Sequence, residues 1–332
     1  MILQPPHAGS ADPISDAILL LGAPRSGTTW FAKIFDSHPD VRYCHEPDEV
    51  SPAPPDLTDD DIRPLLRRWS ECRAPRTSTK RPFFRKSWQS PAGFVAHTVI
   101  ATAISAAGRL PDPFRRFSDM PVPQCGDETR ARLVIKSVRW CQGAGTFARA
   151  LPDGRTVLII RNPCAQIASL LRGAQEGRFE LREGGTLPFN QAGARRHAAR
   201  HGVEPACFDA LPVAAQVAWD WAFFNETAVN GLNGLPNTHI VIYRDLITAP
   251  EQVARKALAF AGLGWNEQTA GFVKRSTTPG TAADYYSVLR YAADVNEAWR
   301  QILSPADQVA IWAVARRTGL ARFWPEFACL SA

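Results

Sequence analysis

The 332-residue sequence lacks paired cysteines, long apolar runs and a secretion signal. Its seven cysteines are scattered and odd in number, so neither a disulfide framework nor a zinc ribbon is indicated. No stretch approaches the roughly 18 consecutive apolar residues of a membrane helix. The amino terminus has neither a basic start nor an apolar signal core. These absences predict a cytoplasmic protein with no membrane span.

An arginine-rich tail and a recognisable nucleic-acid-binding motif are also missing, although the chain is basic. Its net charge is +6 and its isoelectric point is near 9.1, which favours an anionic ligand. Because the basic residues are dispersed, we do not expect nucleic acid as a partner. A doubly phosphorylated nucleotide accounts for the charge equally well.

Short apolar segments alternate with helical patterns along the chain, which is typical of an α/β fold. The helical patterns include residues 28–37 and 210–232. This alternation predicts a central parallel sheet flanked by helices, joined by right-handed crossovers. The chain is long enough for one large domain with insertions, so we predict a single domain over 1–332. The predicted strands are residues 18–21, 41–44, 132–137, 156–160 and 239–243.

Three segments stand apart from this pattern. Residues 1–16 read as a loose leader. Residues 51–127 are rich in proline, arginine and acidic residues, apart from one apolar helical stretch at 92–107, and residues 174–205 have several glycines and no clear apolar period. We interpret the two longer segments as insertions that cover the site and shape an acceptor pocket.

Residues 19–30 read LLLGAPRSGTTW, a buried strand followed by a glycine-bracketed turn and a helix start. This arrangement is typical of a phosphate cradle, and the hydroxyls of Ser26, Thr28 and Thr29 lie beside the free N–H groups of the helix. A Walker A motif would place lysine where Thr28 stands, and the nearest cation is Arg25. The loop therefore predicts a phosphate ligand but not a nucleoside triphosphate with its metal.

A second strand-to-helix segment, residues 157–173, reads VLIIRNPCAQIASLLRG. Arg161 at the strand end can bind a phosphate through two N–H groups, and Pro163 suits the first helical turn. Ser169 lies six residues after that proline, on a helix that opens beneath the same ligand. The two segments together predict two phosphate-binding elements that face the same ligand.

The segment PRSGTTW, with HPDV after its helix, resembles the 5′-phosphosulfate loop of sulfotransferases that use 3′-phosphoadenosine 5′-phosphosulfate (PAPS). The segment with Arg161 and Ser169 resembles the 3′-phosphate segment of this family. Residues 239–263 resemble its late strand and helix, with Arg244 in place of a glutamate and Ala261 in place of a leucine. The resemblance implies a P-loop-like sulfotransferase fold and sulfuryl transfer from PAPS, which leaves adenosine 3′,5′-bisphosphate and requires no metal.

The resemblance also implies roles for individual residues in holding the donor. Arg161 and Ser169 would bind the 3′-phosphate, and Arg290 is a substitute for the Arg-Lys-Gly element that completes this pocket in cytosolic members. Arginine in place of the frequent family lysine at position 25 keeps the charge but does not donate a proton. The residues expected at the 5′-phosphate are Arg25, Ser26, Gly27, Thr28, Thr29 and Trp30.

Glu46 in the segment CHEP is the first candidate for the general base, because it follows a strand and would lie at the carboxyl edge of the sheet. His45 is the alternative, and a purely structural turn is a third reading. Adjacent residues on an extended segment point opposite ways, so we expect only one of them to face the site. Lys136 resembles the lysine of the family's Lys-Thr-His element, whose histidine falls at Val138, and a surface lysine is the alternative reading.

Other readings complete the predictions. Arg139 either assists Lys136 or is solvated. His197 and His201 have the spacing of two metal ligands, but the arginine-rich segment RRHAARH favours a solvated basic helix. The predicted acceptor is a hydroxyl of a small molecule, sugar, lipid or secondary metabolite. The alternative functions are a P-loop nucleotide kinase, which the missing Walker lysine disfavours, and a non-catalytic nucleotide-binding protein of the same fold.

Overall fold

Five parallel strands form one sheet in the part of the chain that the structure describes. The structure is a computed structural model that describes residue 12 and residues 14–54, 57–78, 80–107, 120–123, 126–177, 189–278 and 298–325. The strands lie in the order β2-β3-β1-β4-β5, and every neighbouring pair is parallel. This confirms the predicted α/β fold class. The strands are β1 (Ile18–Leu21), β2 (Val41–His45), β3 (Arg132–Ser137), β4 (Arg155–Ile160) and β5 (Thr238–Ile242).

Both faces of the sheet are covered, which explains why its central strands contain continuous apolar runs. Successive side chains of β1 alternate between two cores: Leu19 and Leu21 belong to one, and Ile18 and Leu20 to the other. The described helices are α1 (Thr28–Asp36), α2 (Asp59–Glu71), α3 (Pro75–Ser78), α4 (Pro91–Ala107), α5 (Ala144–Ala150), α6 (Pro163–Gln175), α7 (Gln191–Arg200), α8 (Pro205–Asp209), α9 (Val213–Leu232), α10 (Tyr243–Thr248), α11 (Pro250–Phe260), α12 (Glu267–Thr277), α13 (Trp299–Ile302) and α14 (Pro305–Arg317).

The first core packs α2, α5, α6, α9 and α14 against one face of the sheet. The second core packs α1, α10, α11 and α12 against the other face. Because β1 lies between β3 and β4, the strand order reverses around it. Ligands of open parallel sheets bind at such a reversal, beyond the carboxyl ends of the strands. The β1 loop is therefore at the position that the topology favours for a ligand.

Part of segment 51–127 belongs to the main body of the fold. Helix α2 begins with a capping box between Thr58 and Asp61, and it buries Leu66 and Trp69 in the first core. The indole of Trp69 lies 6.1 Å from the ring of Phe147 on α5. The outer face of α2 contains three aspartates and three arginines. These charges obscure the apolar face of the helix in the sequence. By contrast, the apolar stretch at 92–107 forms α4, as predicted.

None of the helices in the described ranges is long and apolar enough to cross a membrane.

Candidate active site

The loop between β1 and α1 is a tight turn that depends on glycine. Gly27 has φ +91°, and a Cβ placed there would lie 2.2 Å from the ring of Tyr243. Arg25 also has a positive φ of +70°. The Ser26 hydroxyl donates to the carbonyl of Ala23 at 2.7 Å and is fully buried, so this side chain holds the turn together.

The amino terminus of α1 is open toward the loop. Gly27 is its N-cap, no side chain caps it, and its first turn has no acidic residue. The hydroxyls of Thr28 and Thr29 make no hydrogen bond within the described part of the chain. Uncapped N–H groups and the positive end of the helix dipole together favour an anion here. Trp30 is buried, and its indole N–H donates to the Ser276 hydroxyl at 3.0 Å, so its side chain anchors α1.

Arg25, Arg161 and Ser169 meet beside this helix. The Nε and Nη2 groups of Arg25 each donate to the Ser169 hydroxyl at 3.3 Å. Arg161 donates from Nη1 to the backbone carbonyl of Arg25 at 3.0 Å, and its guanidinium lies 5.0 Å from the ring centre of Tyr243. In turn, the Trp221 indole on α9 donates to the Arg161 carbonyl at 3.1 Å. Arg25 of the first segment and Arg161 and Ser169 of the second therefore form one contiguous basic site.

Helix α6 is positioned by the residues that follow Arg161. The Asn162 side chain caps the helix by accepting from the N–H of Ala165 at 3.2 Å, and Pro163 is the first helical residue. This short connection fixes Ser169 less than two turns into the helix, facing Arg25. The Arg-Asn-Pro motif thus serves the geometry of the site as well as its charge.

Lys136 and Glu46 lie together at the ends of β3 and β2. The Lys136 ammonium donates to the Glu46 carboxylate, and the backbone N–H of Glu46 donates to the Lys136 carbonyl at 2.8 Å. Lys136 is almost completely buried, so the reading of a surface lysine is wrong. Burial is the main cause that lowers the pKa of Lys136 to about 7, and the Arg25 guanidinium is the second cause.

His45 also faces this pair. Its Nε2 lies 3.9 Å from the Glu46 carboxylate, and its Nδ1 lies 2.6 Å from the Tyr43 hydroxyl. The expectation that only one of the two neighbours faces the site is wrong, because Glu46 has φ +46° and the chain bends there. Burial, and then Lys136, hold the pKa of His45 well below its usual range, so the imidazole is neutral near pH 7.

Asp48 and Tyr243 belong to the site but were not predicted. The Asp48 carboxylate accepts from the Ser137 hydroxyl at 2.9 Å, directly after Lys136, and burial raises its pKa. The sequence signal that could have identified Asp48 is its position two residues after Glu46, with Pro47 between them. Tyr243 lies beneath Gly27 and Arg161, and it was hidden because a tyrosine at a strand end reads as an ordinary core residue.

The remaining predicted residues have separate outcomes. Arg139 is exposed and lies 3.6 Å from Glu49, so the solvated reading fits its side chain. Arg290 lies outside the described residues. A cavity of about 40 Å³ opens beside Arg25 between α6 and α9, and its lining includes Gln166, Asp220 and Phe224. A second cavity of about 90 Å³ lies between β2 and the residues of segment 51–127.

Residues 17–212 match the family model of the sulfotransferases, which covers more than half of the chain. The chain belongs to the sulfotransferase family. The match includes every described residue of the phosphate loop, the Glu46–Lys136 pair and the Arg161–Ser169 segment. For this sulfotransferase the family assignment decides against the nucleotide-kinase alternative. A search of curated protein sequences gives no significant match.

Solved structures of sulfotransferases are similar to this sulfotransferase over almost its whole length, at low identity. The sulfotransferase domain of the Synechococcus PCC 7002 olefin synthase is 15% identical, with 96% of this chain and 98% of that chain covered and a TM-score of 0.48. The sulfotransferase domain from the curacin biosynthetic pathway is 16% identical, with coverages of 92% and 97% and a TM-score of 0.46. Mouse sulfotransferase SULT7A1, complexed with PAP, is 14% identical, with coverages of 96% and 90% and a TM-score of 0.48.

Proposed function

We propose that this sulfotransferase transfers a sulfuryl group from PAPS to a hydroxyl acceptor. The observation that carries the proposal is the convergence of two anion-binding elements on one site: the uncapped start of α1 and the Arg161–Ser169 pair. A nucleotide with phosphate groups at two positions matches two such elements. The close approach of the Tyr243 ring to Gly27 excludes a side chain at position 27, so the turn that leads into α1 depends on glycine.

The 5′-phosphate would lie against the N–H groups of α1, with the hydroxyls of Thr28 and Thr29 and the Arg25 guanidinium as further donors. The 3′-phosphate would lie against Arg161 and Ser169. Since Arg25 already contacts Ser169, its guanidinium lies between the two phosphate positions and offsets the charge of both. These groups supply the neutralisation that the phosphate leaving group requires, and no metal is needed for this step.

Glu46 is the proposed general base. Its carboxylate lies at the carboxyl edge of the sheet, is partly buried and is in contact with the Lys136 ammonium. In the proposed step the acceptor O–H gives its proton to Glu46 while the acceptor oxygen bonds to sulfur. The bond between sulfur and the bridging oxygen breaks, and its electron pair remains on the 5′-phosphate.

Lys136 has the complementary role of stabilising negative charge. Its ammonium contacts Glu46, and the positive charge of Arg25 lowers its pKa. Lys136 is therefore near both the proposed base and the donor phosphate site. As the bridging oxygen gains charge, a hydrogen bond from Lys136 would become stronger, which lowers the barrier. His45 is neutral and adds no charge to this site. We propose that its imidazole, with Nε2 3.9 Å from the Glu46 carboxylate, helps to orient that carboxylate.

The acceptor would enter between the sheet edge and the segments 51–127 and 174–205. The cavity beside β2 includes Tyr43, which contacts His45, and the cavity beside α9 includes Arg25. The first cavity is thus separated from Glu46 by Tyr43 and His45, and the second borders Arg25 of the proposed donor site. We propose a hydroxyl of a small molecule, sugar, lipid or secondary metabolite as the acceptor.

A comparison of turnover with donor binding tests the proposal. Single-turnover conversion of PAPS to adenosine 3′,5′-bisphosphate would be followed with a panel of hydroxyl acceptors, for the wild type and for Lys136→Met. We expect acceptor-dependent conversion in the wild type and a large loss in the variant, with donor binding retained. A non-catalytic nucleotide-binding protein would bind the bisphosphate but convert no PAPS with any acceptor.

A further inference from the structure

Two histidines and one glutamate converge on a point between α7 and α9, away from the groups used in sulfuryl transfer. His197 lies on α7, His201 is the C-cap of that helix one turn later, and Glu226 lies on α9. The Nε2 atoms of the two imidazoles lie 2.7 and 2.8 Å from the same Glu226 oxygen. All three ligand atoms lie within 4.8 Å of one another.

This cluster is not the solvated basic helix that the sequence favoured. The arginines of α7 are exposed, whereas Gly193, Ala194, His197 and Ala198 face α9 and are buried. The segment has no glutamate between its histidines because the carboxylate comes from another helix. A pattern that looks incomplete along the chain is therefore completed by the fold.

We infer that His197, His201 and Glu226 form a site for a divalent transition-metal ion, with zinc as the best match. Two imidazoles and one carboxylate are a set of protein ligands that zinc accepts, with a water in the fourth position. A tetrahedral zinc ion holds its ligand atoms roughly 3.3 Å apart. Outward shifts of about half an ångström would bring the two nitrogen–oxygen distances to that value.

The surroundings restrain the ligands before any metal binds. The rings of Trp219 and Phe223 lie 6.2 and 5.8 Å from that of His197, and Trp219 lies 5.5 Å from His201. Nδ1 of His197 has no hydrogen-bond partner among the described residues. The imidazole is therefore oriented by the contact of Nε2 with Glu226 and by the neighbouring rings.

The position of the site suggests a structural role. An ion there would tie α7 to α9, and α9 carries Trp221, which supports the Arg161 carbonyl in the phosphate site. The site is separate from the sulfuryl-transfer step, so its presence or absence leaves the proposed function unaffected. Hydrogen bonding alone, with one carboxylate shared by two imidazoles, is the competing description of the same contacts.

The test is metal binding by the full-length protein after treatment with a chelator. Zn²⁺ is titrated calorimetrically and Co²⁺ is followed by its visible absorption, in the wild type and in His201→Ala and Glu226→Gln. His239→Ala is the matched control, because His239 is half-buried on β5 and lies outside the cluster. The Co²⁺ spectrum also distinguishes nitrogen and oxygen ligands from thiolates, which matters because Cys207 is exposed on the neighbouring α8.

We expect one Zn²⁺ per chain, a Co²⁺ spectrum without thiolate bands, and a rise in the melting temperature with Zn²⁺. The cluster variants should lose affinity by about 100-fold or more, while the control binds as the wild type does. If the wild type binds no stoichiometric metal, or the cluster variants bind as tightly as the wild type, the inference is wrong. The wild-type stoichiometry and spectrum decide the matter even where a variant fails to fold.

Discussion

At the scale of single residues, the most consequential contact is that between Lys136 and Glu46. A buried ammonium beside a partly buried carboxylate places a proton acceptor and a positive charge at one strand end. Both are needed for sulfuryl transfer, since a proton leaves the acceptor while negative charge develops on the donor. The two side chains would work as a unit, so the effects of replacing them should not add.

Glu46→Gln should remove the base while keeping the shape of the site and an amide oxygen for Lys136. We expect turnover to fall by about 10²–10⁴-fold with little change in the affinity for adenosine 3′,5′-bisphosphate. Single-turnover kinetics and calorimetry measure the two quantities separately. Glu49→Gln is the matched control, because Glu49 is exposed three residues further along and its carboxylate lies 3.6 Å from the exposed Arg139. Equal losses in both variants would exclude Glu46 as the base.

Lys136 should produce a pH dependence on the alkaline side. Its pKa in the free protein is lowered to about 7, and the charged form is the one that stabilises the leaving group. As pH rises through this pKa the ammonium loses its proton, so kcat/KM should fall above neutral pH. Bound phosphate groups favour the charged form of Lys136. The decrease in kcat should therefore occur at a higher pH than the decrease in kcat/KM. A kcat/KM profile that stays flat on the alkaline side would contradict this role.

At the scale of secondary-structure elements, the site depends on how strands end and helices begin. The apolar strands, the glycine-bracketed turn and the Arg-Asn-Pro motif could all be read from the sequence, because each depends on local chemistry. Contacts between segments that are distant along the chain could not be predicted in this way. The burial of Lys136, the bend at Glu46 and the meeting of Arg25 with Ser169 all depend on which strands are neighbours in the sheet.

The turn at Gly27 should tolerate no side chain. Alanine there would carry the cost of a positive φ, about 1–2 kcal/mol, and would also collide with the ring of Tyr243. Gly234→Ala is the matched control, since Gly234 has φ +76° and open space around it. We expect both variants to lower the melting temperature, with the larger drop and a loss of bisphosphate binding for Gly27→Ala alone. Unchanged binding by Gly27→Ala would show that the turn does not cradle a phosphate.

At the scale of the whole molecule, the fold class and the order of strands and helices were predictable, whereas some connections were not. The sequence indicated a helix start at residues 59–61, but the charged outer face of α2 obscured its apolar side, which fills the first core with Leu66 and Trp69. The partnership of His197 and His201 with Glu226 was equally hidden, because it joins residues 25 and 29 positions apart. Sequence patterns report local periodicity, and these contacts arise only from packing.

Binding of the bisphosphate should stabilise the whole chain. A ligand that binds only the folded state raises the free energy of unfolding by about 2.7 kcal/mol at 100 times its dissociation constant. We therefore expect adenosine 3′,5′-bisphosphate to raise the melting temperature without added metal, and to raise it much less in Ser169→Ala. If an equal concentration of inorganic sulfate stabilises the protein as much as the bisphosphate does, the two-phosphate site is wrong.

Calorimetric titration with adenosine 3′,5′-bisphosphate, AMP and ATP, each with and without magnesium, tests the central proposal most directly. It should be repeated with Arg161→Ala and with Arg139→Ala, an exposed arginine outside the phosphate site, as the control. We predict that the bisphosphate binds most tightly, independently of magnesium, and that Arg161→Ala alone abolishes this preference. A preference for ATP with magnesium, or a bisphosphate affinity unchanged in Arg161→Ala, would contradict the proposed donor site.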